Sequence, residues 1–263
     1  MKIFKIKSTS SFKYSNINLA IGNFDGVHIG HQKLIKKLVS KCKKEKTKSA
    51  ILSFSPHPRQ YFTKNYKDFN IIDEIEKIKI IKELGIDFYI SFLFDYNLAS
   101  LSAEKFIKNI LFKKLKIKNI TVGYDFKFGK DRKGDIDLLK KLSPNYNFNL
   151  TIIEQVIDPD TQLPYSSSDI RKNIQKGKFE KVNHNLGRNW SVKGIVVSGD
   201  KRAREMNFPT ANIMLLNQIY PKKGVYAIKA KLNQNYYQGI ANFGERPTVE
   251  GKNLLLEVHL FDF

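Results

Sequence analysis

An α/β fold followed by a smaller all-β domain is predicted for this chain of 263 residues. Two observations predict it. Up to about residue 180, short apolar runs alternate with stretches of helical periodicity; beyond residue 186, strand-like runs follow one another with only turn residues between them. Strand and helix in alternation imply a parallel sheet with crossover helices. The division is expected at 1–185 and 186–263, with a short boundary near NHNLGRNW.

In chain order, strands are expected at INLAIGNF (17–24), KSAILSFS (48–55), DFYISF (87–92), NITVGYDF (119–126) and LTIIEQV (150–156). Each is rich in β-branched or aromatic residues. Between them, DEIEKIKIIKEL and SAEKFIKNILFKKL repeat Ile, Leu and Phe at three- and four-residue steps, with Asp73 and Ser102 placed to cap the helices. WSVKGIVVSG, GVYAIKAKL, YYQGIANFG and NLLLEVHLFDF supply the strands of the second part.

A hydrophobic content of 41% is enough for real cores, and 46 basic against 25 acidic residues give a formal net charge of +21. Lysine is spread along the whole chain beside Ile, Asn, Phe and Tyr. That distribution reads as compositional bias on a solvated surface; a nucleic-acid binder would cluster arginine with aromatics on one element. Only seven residues are arginine: Arg59, Arg132, Arg171, Arg188, Arg202, Arg204 and Arg246. Where lysine is the default cation, an arginine more plausibly stands where a bidentate fork is needed for phosphate or carboxylate. A single cysteine, Cys42, excludes an internal disulfide and a Cys-based metal site. No apolar run approaches the roughly 18 residues of a membrane-spanning helix, and MKIFKIKSTSSF lacks the apolar core of a signal peptide. A cytoplasmic protein with no membrane or nucleic-acid partner is expected, and the sequence carries no signal for oligomeric state.

The densest motif is GNFDGVHIGHQKLI, residues 22–35. It leaves a buried strand and begins a helix at Gly30-His31, so it joins the carboxyl end of a parallel strand to free helical N–H groups, the usual setting for phosphate. Gly22 and Gly26 let backbone approach a ligand. His28 and His31 could donate to a phosphate that gains charge in a transition state, or one could cap the helix while the other packs. YSSSDIRKNIQKG (165–177) reads as a second helix N-terminus. Ser166, Ser167 and Ser168 with Arg171 form either a pyrophosphate cradle or an ordinary serine cap.

HIGH, residues 28–31, is the signature shared by class I aminoacyl-tRNA synthetases and a wider group of nucleotidyltransferases. The whole stretch resembles one branch, the prokaryotic bifunctional riboflavin kinase/FMN adenylyltransferase (FAD synthetase) family. FSPHPRQYF (54–62), GYDFKFGKDRKGD (123–135), YSSSDIRKNIQKG, MNFPTANI (206–213), NFGERPTV (242–249) and LEVHLFDF (256–263) resemble the same family in the same order. The resemblance covers nearly the full chain. It implies a Rossmann-like nucleotidyltransferase domain and then a smaller riboflavin kinase-like β-barrel. It further implies ATP, FMN and riboflavin as substrates, FAD as product and Mg2+ as the metal.

By that resemblance, His28 and His31 steady the α-phosphate of ATP, Arg171 faces the pyrophosphate, and Gly22, Asn23, Phe24, Asp25, Gly26, Asp125, Arg132 and Ser166–Ser168 line the nucleotide, Arg132 from a mobile loop. Phe128 lies beside the flavin. Phe54 and Phe62 are candidates for stacking on the isoalloxazine ring, or are plain core. Thr210 and Asn212 of PTAN would hold Mg2+ and the kinase ATP. Glu257 matches the general base, although by itself it reads equally as an edge-strand carboxylate.

The sequence departs from the family pattern in three places. Serine stands at 168 where threonine is usual, which keeps the hydroxyl. The loop GDKRAREMNFPTAN carries Ala203 and Asn207 at positions that are glycine in kinase-competent relatives. The family also normally continues past the strand bearing Glu257, so a chain ending at Phe263 leaves an incomplete barrel. Intact adenylyl transfer and weak or absent riboflavin phosphorylation are therefore expected. A tRNA synthetase should carry a KMSKS-like loop and an anticodon-binding domain, and a pantetheine or glycerol phosphate transferase would lack PTAN.

Overall fold

The computed structural model describes residues 1–197, 209–248 and 251–263. Every residue of β2 (Ile17–Ile21) is buried, as a parallel strand covered on both faces must be. It stands inside a six-stranded sheet with β1 (Lys2–Ile6), β3 (Lys48–Ser55), β4 (Phe88–Leu93), β5 (Ile117–Gly123) and β6 (Asn149–Ile153). The order is β1-β4-β3-β2-β5-β6 and every pairing is parallel. From β2 the chain winds outward through β3 and β4, then crosses back to place β5 and β6 on the other side. The order thus reverses between β2 and β5.

The crossovers carry α1 (Ile29–Glu45), α2 (Pro58–Thr63), α3 (Glu74–Glu83), α4 (Tyr96–Ala99), α5 (Ala103–Lys105) and α6 (Ile136–Leu142), and α7 (Ser167–Gln175) and α8 (Phe179–Leu186) follow β6. Helix α1 buries Leu34, Ile35, Leu38, Val39 and Cys42, one stripe worth about 1.5–3 kcal/mol for each large side chain. It stops where Lys46 turns left-handed, with Thr47 N donating to Cys42 O at 3.0 Å.

Four features differ from the sequence expectation. β1 was not anticipated; it is an edge strand beside β4, mostly exposed, too short and lysine-rich to stand out. β2 ends at Ile21, so Gly22, Asn23 and Phe24 belong to the turn after it. The helix expected over SAEKFIKNILFKKL starts as expected, with Ser102 Oγ accepting from Lys105 N at 3.2 Å. It runs as α-helix only to Lys105 and then as π-helix over Phe106–Lys114, closed by Leu115 N donating to Ile110 O at 2.9 Å. A strand over Ala211–Leu215, β8, overlaps PTAN and was not anticipated.

The chain divides into two compact units. The first comprises residues 1–66, 74–167 and 185–187 and holds the parallel sheet; the second comprises 67–73, 168–184 and 188–263. The second unit holds β7 (Gly194–Val197), β8 (Ala211–Leu215), β9 (Gly224–Leu232), β10 (Asn235–Thr248) and β11 (Gly251–Leu260) in one antiparallel sheet, ordered β7-β8-β11-β10-β9. Burial alternates along β9, as a half-buried strand requires. Leu215, Ala241, Phe243, Leu256 and Val258 form its core. Residues 67–73 join this unit through Ile219 N to Asn70 O, 2.8 Å, and Trp190 Nε1 to Ile71 O, 2.8 Å. Among the described residues no helix is long and apolar enough to cross a membrane.

Candidate active site

The carboxyl ends of β2 and β5 flank the reversal of strand order, the place where an open α/β sheet leaves a crevice for a ligand. From β2 the chain enters a turn in which Phe24 (φ 50°), Gly26 (φ 79°) and Val27 (φ 40°) are all left-handed. Glycine adopts that region freely; Phe24 and Val27 do not, and both are buried where they stand. The turn is tied down from several sides. Ser167 Oγ donates to Asp25 O at 2.8 Å, and Ser53 Oγ to Asn23 O at 3.2 Å. Gln32 Nε2 donates to Val27 O at 3.0 Å and to Leu186 O at 2.9 Å. Asn23 Oδ1 is buried and has no hydrogen-bond partner among the described residues, so the turn holds an acceptor in want of a donor.

His28 is the N-cap of α1: its Nδ1 accepts from His31 N at 3.3 Å. In a neutral ring that leaves the proton on Nε2. His31 lies one turn on, and the two rings stack with centroids 3.7 Å apart at 20°. Phe24 meets His31 edge to face at 5.2 Å. A Cβ on Gly30 would stand 3.1 Å from the His28 ring, so a larger residue would make that ring give by a few tenths of an ångström. The sequence left cap and phosphate ligand as alternatives for these histidines. In the structure Nδ1 serves the cap, and the imidazoles sit over the first turn of α1, where helical N–H groups have no carbonyl partner within the helix.

Beyond β5, Asp125 is exposed two residues after the strand, and Arg132 is exposed at the tip of a loop. Phe128 and Gly134 close the root of that loop by exchanging main-chain hydrogen bonds of 3.0 and 2.9 Å. Of the phenylalanines expected near a flavin, Phe62 is 65% exposed, Phe54 is partly buried against Phe94, and Phe128 is buried between Phe106 and Phe126. Tyr61, Phe62 and Phe94 meet edge to face, with centroids 5.3–5.8 Å apart, and Phe54 carries the group on to Phe106.

Ser166 is half-buried just before α7, Ser167 opens the helix and Ser168 is exposed in its first turn. Within the second unit, Arg171 lies with its guanidinium carbon 4.1 Å from the centre of the Phe69 ring, and its Nε donates to Phe69 O at 3.0 Å. The arginine is thus gripped on its face and along one edge by a single residue. Sequence reasoning did not find Phe69, which lies about 100 residues away in the chain.

In the second sheet, Asn212 of β8, Glu257 of β11 and Asn242 of β10 stand directly opposite one another across three neighbouring strands. Asn242 Nδ2 donates to Glu257 Oε2 at 3.4 Å. Thr210 is exposed two residues before Asn212, and His259 Nδ1 lies 2.9 Å from Pro209 O. Thr210 and Asn212 each offer a side-chain oxygen, the donor type that a hard cation such as Mg2+ takes. Asn242 was legible as part of NFGERPT, but its pairing with Glu257 needed the strand register. Gly199, Arg202, Ala203, Arg204 and Asn207 lie outside the described residues.

Two family models match the chain: FAD synthetase over residues 12–168 and riboflavin kinase over 186–263. Similar relatives include a bifunctional riboflavin kinase/FMN adenylyltransferase of Buchnera aphidicola subsp. Schizaphis graminum. It is 41% identical over 95% of this chain and 80% of its own length. Proteins of the same description from Escherichia coli K12 and Bacillus subtilis are 35% and 36% identical, with 84% and 78% of their lengths covered. A crystal structure described as a macrolide-efflux protein from Streptococcus pneumoniae superposes with a TM-score of 0.85 at 27% identity, over 99% of this chain and 85% of that one. The activity in that description belongs to that protein; the shared fold is what this chain has in common with it.

Proposed function

The chain belongs to the bifunctional riboflavin kinase/FMN adenylyltransferase family, and from that membership we propose how its two modules divide the work of making FAD. Residues 1–185 transfer AMP from ATP to FMN, and residues 186–263 phosphorylate riboflavin to FMN. The riboflavin kinase family match over 186–263 supports this second activity, while Ala203 and Asn207, which lie outside the described residues, bear on its rate. A cytoplasmic location and the absence of a nucleic-acid partner belong to the same proposal.

The observation that carries the adenylyl-transfer reading is the stacked His28–His31 pair on the first turn of α1, at the reversal of strand order. A phosphate oxygen of FMN attacks the α-phosphorus of ATP; the new P–O bond forms as the bond to the β-phosphate breaks, and pyrophosphate leaves. FMN brings its own nucleophile, so the protein has no proton to remove. Positioning and charge stabilisation carry the rate. His28 and His31 donate toward the α-phosphate, and the turn from Gly22 to Gly26 holds the nucleotide. Ser166–Ser168 and Arg171 receive the pyrophosphate, with Arg132 reaching in from its loop, while Phe54, Phe62 and Phe128 border the flavin.

In the kinase module, Glu257 accepts the proton of the riboflavin 5′-hydroxyl while that oxygen attacks the γ-phosphorus of ATP and ADP leaves. The hydrogen bond from Asn242 turns the carboxylate to one orientation. Thr210 and Asn212 would hold Mg2+, which when bound supplies charge neutralisation at the ATP phosphates.

One chromatographic experiment tests the division of labour: FAD formed from FMN and ATP, beside FMN formed from riboflavin and ATP. Both products are expected. FAD absent from the first reaction, with the protein folded, would remove the adenylyl-transfer reading.

A further inference from the structure

Helix α3 buries an unexpected residue. Ile75 is 73% exposed while Lys77 is 9% exposed, the reverse of what hydropathy asks of a helix face. A lysine is costly to bury unless paired. Lys77 Nζ lies 2.7 Å from Glu74 Oε2 and donates to Ser53 Oγ at 3.4 Å. Ser53 is fully buried in β3 and passes its own hydrogen to Asn23 O. On the far side of the pair, the buried Tyr89 hydroxyl donates to Glu74 Oε1 at 2.7 Å and Ser91 Oγ does so at 3.5 Å. Burial first, and then the Glu74 charge, push the Tyr89 phenol far above its ordinary range, so it stays a donor at every working pH. The result is one directional relay from Tyr89 to the carboxylate, and from the ammonium through Ser53 to the main chain of the nucleotide turn.

We infer that Lys77 is a positioning residue for adenylyl transfer: its buried ammonium, oriented by Glu74, fixes the Asn23 carbonyl through Ser53 and so sets the turn that receives ATP. A lysine that only filled space would be replaced without loss by an apolar side chain. This one delivers a charge-assisted hydrogen bond one step beneath the turn, through Ser53 to the Asn23 carbonyl. The inference rests on the reading of that turn as the ATP site.

Three variants separate positioning from mere packing. Lys77→Met removes the ammonium and strands Glu74; Glu74→Gln/Lys77→Met removes the pair at nearly constant volume, a change that is often neutral for stability. Lys77→Arg keeps the charge. Measured are thermal stability, KM for ATP and for FMN in FAD formation, and ATP affinity by calorimetric titration without acceptor. Lys77→Met is expected to lose stability and to raise KM for ATP by about tenfold with KM for FMN unchanged. The double variant is expected to regain parental stability yet keep the raised KM and weakened ATP affinity, and Lys77→Arg to lie near the parent. Parental ATP affinity and KM in the double variant would overturn the inference, as would equal rises in both KM values. A parental protein that binds ATP but makes no FAD would overturn the functional reading instead, and the titration series would still decide the role of Lys77.

Discussion

His28 and His31 stack face to face, with centroids 3.7 Å apart, while Nδ1 of the first accepts from the main chain of the second. The two imidazoles therefore act as one unit, each fixing the plane of the other. Replacing His31 with alanine removes a phosphate-facing ring and also frees the plane of His28. FAD formation is expected to fall about 10²–10³-fold, with riboflavin phosphorylation unchanged, both read from one chromatogram. FAD at the parental rate from His31→Ala would take away the central mechanistic claim.

Gly30 separates stability from activity. Alanine is the better helix former by up to about 1 kcal/mol, so Gly30→Ala is expected to leave the thermal midpoint unchanged or higher. The added Cβ would stand 3.1 Å from the His28 ring, which must give by a few tenths of an ångström. A displacement of that size in a phosphate-facing ring is expected to cost up to about tenfold in adenylyl transfer. Paired calorimetry and FAD assays check the opposite signs.

Glu257 is expected to divide the two activities. Glu257→Gln keeps the partner of Asn242 but cannot accept a proton, and riboflavin phosphorylation should fall by about 10²–10⁴-fold. FAD formation from supplied FMN should stay at the parental rate. A kinase rate close to the parental one in that variant would assign the proton transfer elsewhere.

Asp87 gives the fold an acid edge. Its carboxylate accepts from Ser49 N and Ser49 Oγ, both at 2.9 Å, and pairs with Lys48 at 3.0 Å, which stitches the start of β3 to the start of β4. Burial raises the carboxyl pKa, but the bonds from Ser49 and Lys48 outweigh it and hold the group below its ordinary value of 3.8. A depressed carboxyl stabilises the fold above the unfolded value and loses that contribution as pH falls through the folded one. Asp87→Ala is expected to cost about 1–2 kcal/mol at neutral pH, discounted for partial exposure. The difference from the parent should vanish below that lowered pKa, measured by denaturant melts across the acid range.

Much of the first unit is legible because long buried strands and a dense motif leave strong patterns. KSAILSFS matches β3 residue for residue, and His28 and His31 fall where strand, turn and helix imply. What stayed hidden has a physical reason in each case. β1 is a lysine-rich edge strand, and an edge needs only one apolar partner. The π-helical run shares its apolar spacing with an α-helix, so periodicity cannot separate them. Lys77 looks like any surface lysine until Ser53 and Glu74 are seen around it, and Phe69 becomes the platform of Arg171 only through tertiary folding.

The hydrogen bond from Ser167 to the carbonyl of Asp25 spans 142 residues. The histidine turn lies early in the chain, but one of its fastenings is the last residue of the first unit's long central segment. A growing or nicked chain that lacks this segment therefore carries HIGH without its clasp. ATP affinity in this protein is then a gauge of completed folding: it should rise only when the far end of the unit has docked, and bound nucleotide should in turn guard that seam against proteases.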